Sequence, residues 1–118
     1  MSLDYCLSKA RELPYIKGQS RHYSVVLDKR GRIVSEAANS YTKTSPRMAK
    51  AANKAGLPDK QCLHSEALAL FRDKQRKGVK LIVARVSADG KSMYSAPCPV
   101  CAILIQEHSH ILSVEFSV

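Results

Sequence analysis

The chain has 118 residues, 45% of them hydrophobic, with 19 basic against 10 acidic side chains and a formal net charge of +9. That length supplies one core and excludes two, and no run of about 18 apolar residues or charged leader suggests a membrane span or secretory signal. The positive charge predicts attraction to phosphate-bearing partners without naming one.

In chain order, Leu3 to Leu13 suits a helix ended by Pro14, with Leu3, Cys6, Leu7, Ala10 and Leu13 as its buried stripe. Tyr23 to Leu27 and Ile33 to Ala38, separated by Asp28-Lys-Arg-Gly31-Arg32, read as a hairpin. Ser45 and Pro46 then read as N-cap and first helical position, and Gly56 and Pro58 as a stop, giving a short helix across 46–55. Arg47, Lys50 and Lys54 share one face of it, with Met48, Ala51, Ala52 and Ala55 as the more apolar remainder. Because this segment leads into His64, the basic stripe is expected at a pocket mouth, gripping a phosphate; the plain alternative is a solvated basic face.

Leu63, Ala67, Leu70 and Phe71 follow the i, i+4, i+7, i+8 pattern of a helix beginning at His64, and Arg76, Lys77 and Gly78 suit its end. At ~1.5 Å of rise per residue that helix places the run Arg72, Lys74, Arg76 and Lys77 roughly 12–20 Å from its start, within reach of a polynucleotide strand. Val79 to Val86 is apolar nearly throughout, as a central strand covered on both faces would be. A further helix should start near Cys98 and Pro99 and run through Ile105. Ile111 to Val118 alternates, with Leu112, Val114, Phe116 and Val118 on one face and Ser113, Glu115 and Ser117 on the other. Around the short helix at 46–55 the order is helix, strand, strand, helix, strand, helix, strand, a three-layer α/β/α arrangement.

Two half-motifs carry the chemistry: His64-Ser-Glu66 and Pro97-Cys98-Pro-Val-Cys101. Soft thiolates and an imidazole hold zinc well, and a catalytic site uses three protein ligands so that water takes the fourth position. His64, Cys98 and Cys101 supply that number, and zinc lowers the pKa of bound water to roughly 7. Glu66 lies too close to His64 on a helix to be an unstrained ligand but can face the same water, which suits a proton shuttle. A structural site would instead want a fourth protein ligand, from Cys62, His22, His108 or His110; Cys62, nearest to His64, reads as an ordinary buried thiol.

These motifs, joined in this order and each at a helix start, resemble the zinc-dependent nucleobase deaminases. The order of elements resembles the cytidine deaminase-like fold over nearly the whole chain, in a short form ending after the fourth strand. Pro97-Cys98-Pro-Val-Cys101-Ala102 with Ile105-Gln106 is similar to the deoxycytidylate deaminase branch, and His64-Ser-Glu66-Ala-Leu-Ala-Leu to the tRNA adenosine deaminases. The Arg-Gln pair that follows the second cysteine in free cytidine deaminases is absent, as is the Met-Cys-x-Gly-Ala run of the tRNA enzymes. The resemblance implies that Asn39 hydrogen-bonds the nucleoside and that the Ala96 carbonyl accepts from the departing amino group. It also implies hydrolysis at C4 of cytosine or C6 of adenine, with Glu66 passing the proton to the ring nitrogen and then to ammonia.

The expected function is a zinc-dependent deaminase of a cytosine nucleoside or nucleotide. Two alternatives stand beside it: a deaminase of bases in RNA or single-stranded DNA, and a non-catalytic zinc-binding interaction domain. Committing two of the four cysteines to metal points to the reducing cytoplasm. The final strand, read as a sheet edge, points to a homo-oligomer that shields it.

Overall fold

The computed structural model describes residues 3–17, 20–40, 46–57, 64–96, 98–108 and 110–118. Their elements are α1 (Leu3–Glu12), β1 (Arg21–Leu27), β2 (Ile33–Ala38), α2 (Pro46–Lys54), α3 (Ser65–Arg72), β3 (Lys80–Val86), β4 (Ser92–Met93), α4 (Pro99–Glu107) and β5 (Ser113–Phe116). Ser45, Pro58, Cys62, Leu63 and Pro97, which the sequence reading used, lie outside the described residues.

The sheet is mixed. β1 sits between β2 and β3, antiparallel to both, and β3 is the hinge between the two halves of the sheet. On its far edge β5 runs parallel to Lys80–Val83, while β4 pairs antiparallel with Arg85 and Val86. The two-residue β4 makes five strands where the sequence suggested four; a pair of residues is too short to show an alternating pattern.

Alternation on β1 and β3 divides the core, because successive side chains of a strand point to opposite faces. Val25, Leu27, Ile82, Ala84 and Val86 meet Cys6, Leu7 and Ala10 of α1. Val26, Leu81 and Val83 meet Ala69 and Leu70 of α3 on the other face. Burial on both faces explains the near-continuous apolar run of β3. α2 and α4 pack together through Met48, Ala51, Ala52, Val100, Cys101 and Leu104, with Ala67 of α3 joining them. Gly56, at φ 73°, closes α2, and Leu57 N donates to Ala52 O at 2.9 Å in the manner of a Schellman cap.

Three expectations need correction. α3 stops at Arg72 and does not run on to Lys77, because the buried Asp73 carboxylate accepts from Lys77 N at 3.0 Å and Gly78 N at 2.9 Å and competes with the helical pattern. The basic run Arg72 to Lys77 therefore does not extend along a helix axis. β5 is also shorter than the alternating segment: Val114 and Phe116 pack on the core, but Leu112 and Val118 are 80% and 79% exposed. Ser117, assigned to the polar face, is fully buried; its hydroxyl donates to Met93 O at 2.6 Å and accepts from Arg85 N at 3.0 Å. Among the described residues no helix is long and apolar enough to cross a membrane.

Candidate metal centre and its cavity

The starts of α3 and α4 meet at one point. His64 is the residue before α3, with extended φ −76° and ψ 157°, and its carbonyl accepts from Leu68 N at 3.0 Å. Its ring makes no capping bond; Nδ1 turns instead to Cys101 Sγ at 3.1 Å and Cys98 Sγ at 3.4 Å. Cys98 occupies the equivalent place before α4, with Pro99 in the first turn, where its missing N–H costs nothing. Both helix N-termini thus aim their positive ends at the thiol pair.

The three ligand atoms lie within 4.8 Å of one another, and no fourth His, Cys, Asp or Glu joins the group among the described residues. Around one tetrahedral ion with Zn–S ~2.3 Å and Zn–N ~2.0 Å, neighbouring ligand atoms would sit roughly 3.5–3.8 Å apart. The observed separations approach that spacing, so His64, Cys98 and Cys101 can hold a metal ion. The hydrogen bond from Cys101, helped by His64, draws the Cys98 thiol down to about 3, and Cys101 is pushed up as the partner that keeps the proton. An environment that favours a thiolate at Cys98 suits a soft cation.

No family model matches the chain, and no curated protein matches its sequence.

Glu66, in the first turn of α3, is 5% exposed. Burial pushes its carboxyl above the usual carboxylate range, the direction that suits a glutamate handling a proton. It lines a cavity of about 160 Å³ together with His22, Asn39, His64, Ala96 and Cys98. That volume is below the ~300–1,000 Å³ of clefts for drug-sized ligands and suits a single flat ring.

Asn39 and Ala96 are thus brought to the metal group, from the end of β2 and the segment after β4. The Asn39 amide is tied to the backbone on both sides: Oδ1 accepts from His22 N at 3.1 Å and Nδ2 donates to Ser20 O at 3.1 Å. None of the basic stripe of α2 lines this cavity, and two of its members are engaged elsewhere. Arg47 Nη2 donates to His108 Nε2 at 3.1 Å and its guanidinium lies 4.3 Å from the Phe71 ring centroid. Lys54 pairs with Glu107 at 3.1 Å, and Lys50 is exposed. Arg47 and Lys54 therefore attach to the C-terminal end of α4, roughly 14 Å of helix from its cysteine end. His108 and His110 lie at that same far end, away from the metal group.

Two residues of the site region were not found by the sequence reading. His22 entered it only as a conceivable ligand, yet it lines the cavity, and burial, with Arg85 and His64 nearby, lowers its pKa to about 4. Arg85 is the cross-strand partner of His22. Nothing in the local pattern marks either one, since their proximity comes from the β1–β3 register.

Proposed function

We propose that this chain is a zinc-dependent hydrolytic deaminase of a nucleobase-containing compound, favouring a cytosine nucleoside or nucleotide, on a cytidine deaminase-like fold. The observation that carries the reading is the convergence of His64, Cys98 and Cys101 with a buried Glu66 on one small cavity. One nitrogen and two sulfur donors form a soft set suited to zinc, and three protein ligands are the number typical of catalytic sites. Zinc held there would supply a water acidic enough to attack at neutral pH.

The remaining chemistry belongs to the chain. Hydrolytic deamination forms a C4–O bond and breaks the exocyclic C4–N bond, so one water is consumed and one ammonia leaves. Glu66 takes the proton from water, gives it to the ring nitrogen, and returns a proton to the departing amine; its raised pKa suits both directions. Asn39, held by Ser20 and His22, orients the sugar side of the substrate, and the Ala96 carbonyl accepts from the amino group.

Ammonia release from zinc-loaded protein, measured across nucleosides, nucleotides and oligonucleotides of cytosine and adenine, tests this reading. Release from a cytosine nucleoside or nucleotide is expected. Protein carrying one zinc per chain that releases none from any member of the panel would overturn it.

A further inference from the structure

Beside the metal cavity lies a second depression of about 300 Å³, lined by Tyr15, Ser20, Arg85 and Met93 among others. The two adjoin through the sheet and the chain. His22 lines the first and its cross-strand partner Arg85 the second, Met93 and Ser95 divide in the same way, and Asn39 of the first donates to the Ser20 carbonyl of the second. Arg85 is the one charged residue lining this depression among the described residues.

The state of that guanidinium is unusual. An arginine presents five N–H donors, yet among the described residues the side chain of Arg85 makes one hydrogen bond, from Nη2 to Ser20 Oγ at 3.2 Å. Its Nε is buried without a partner, and no carboxylate is within ion-pairing distance among the described residues. Its cross-strand partners, His22 of β1 and Met93 of β4, and the Ser20 hydroxyl just before β1 carry no negative charge. A partly buried, unpaired cation is costly unless an anion meets it. Arg21, one residue before His22, also has a buried Nε without a partner, but its Nη atoms are taken up by the carbonyls of Leu13 and Ser87, whereas those of Arg85 meet no carbonyl among the described residues.

We infer that Arg85 and Ser20 form an anion subsite that holds the phosphate of a nucleoside monophosphate whose base occupies the metal cavity. This rests on the deaminase reading and narrows it: the substrate carries a phosphate ester, and Arg85, not the α2 stripe, recognises it. One guanidinium on one depression fits one phosphate, whereas a polynucleotide would need cations along a track. Arginine suits the task because its planar fork matches a phosphate's oxygens.

The test is a binding titration of zinc-loaded Glu66→Gln protein, in which turnover is stopped, with cytidine, cytidine 5′-monophosphate and a cytosine-containing decanucleotide. The monophosphate should bind roughly 10- to 100-fold tighter than cytidine, the span of a charge-assisted contact. Arg85→Gln and Arg85→Met should each erase that difference while leaving cytidine affinity and zinc content unchanged. Equal affinities for monophosphate and nucleoside, equal weakening of both by the Arg85 variants, or an Arg85-dependent preference for the decanucleotide would each overturn the subsite. If Arg85-dependent monophosphate binding is seen but wild-type protein releases no ammonia, the subsite stands and the deaminase reading falls; ammonia release with no Arg85 effect gives the reverse.

Discussion

The hydroxyls of Ser24 on β1 and Ser65 in the first turn of α3 lie 2.7 Å apart, and both residues are fully buried. Ser65 stands between His64 and Glu66, so this bond pins the segment that carries both of them to the centre of the sheet. A second bond, Ser35 Oγ to Ala69 O at 2.7 Å, fixes the next turn of the helix to β2. Both serines use polar groups to set a helix position that apolar packing alone would leave free to slide.

Ser65→Ala should lower stability by about 1–3 kcal/mol, because it strands the Ser24 hydroxyl in the core without that partner. The Ser24→Ala/Ser65→Ala double variant should recover part of the loss, since removing both ends leaves nothing unpaired. Denaturant unfolding reads this as a shift in midpoint at constant slope. A double variant as weak as the sum of the two singles would show that the bond is not the cause.

The elements with strong periods were readable from the chain: the stripe of α1, the hairpin, the apolar β3, and the two helix starts marked by His64 and by Cys98-Pro99. What was not readable depends on contacts between distant segments. Asp73 ends α3 through side-chain bonds to backbone, and Ser117 is buried because Ser95, Met93 and Arg85 receive it. Likewise Arg47 looked like a pocket residue from its neighbours in sequence, but the packing of α2 on α4 carries it to His108. The placement of His22 beside Arg85 follows from strand register, which no single segment encodes.

Among the described glycines, Gly78 is the most tightly enclosed. A Cβ there would collide with Val26 Cγ1 and lie 2.8 Å from Asp73 Oδ2, the atom that accepts from the Gly78 amide itself. Gly78→Ala should cost about 1–3 kcal/mol through overpacking and loss of the Asp73 turn, seen as a lower unfolding midpoint. Unchanged stability would mean that the start of β3 shifts freely.

Acid should weaken the fold through His108, which is 2% exposed. Its Nδ1 faces Leu104 O at 2.7 Å, which only accepts, and its Nε2 faces Arg47 Nη2 at 3.1 Å, which only donates; the ring is neutral, with the proton on Nδ1. Burial lowers its pKa, and the neighbouring Arg47, His110 and Arg76 add to the effect. Because the folded value lies below the unfolded ~6.5, the contribution to stability is complete above pH ~6.5 and is lost as pH falls through the folded value. Melting temperature measured with a chelator present, which removes the proton linkage of metal binding, should therefore fall below pH 6.5, and His108→Gln should make that fall shallower, leaving the part due to His22, whose pKa is lowered to about 4. Parallel pH profiles for the two proteins would assign the acid sensitivity elsewhere.

The central claim, that Glu66 moves protons beside a metal held by His64, Cys98 and Cys101, is tested most directly by measuring zinc content and turnover together in wild type, Glu66→Gln and Cys98→Ala. Glu66→Gln should keep one zinc per chain and lose roughly 10²–10⁴-fold or more in ammonia release. Cys98→Ala should lose the zinc itself. Full turnover by zinc-loaded Glu66→Gln, or undiminished zinc in Cys98→Ala, would contradict the account.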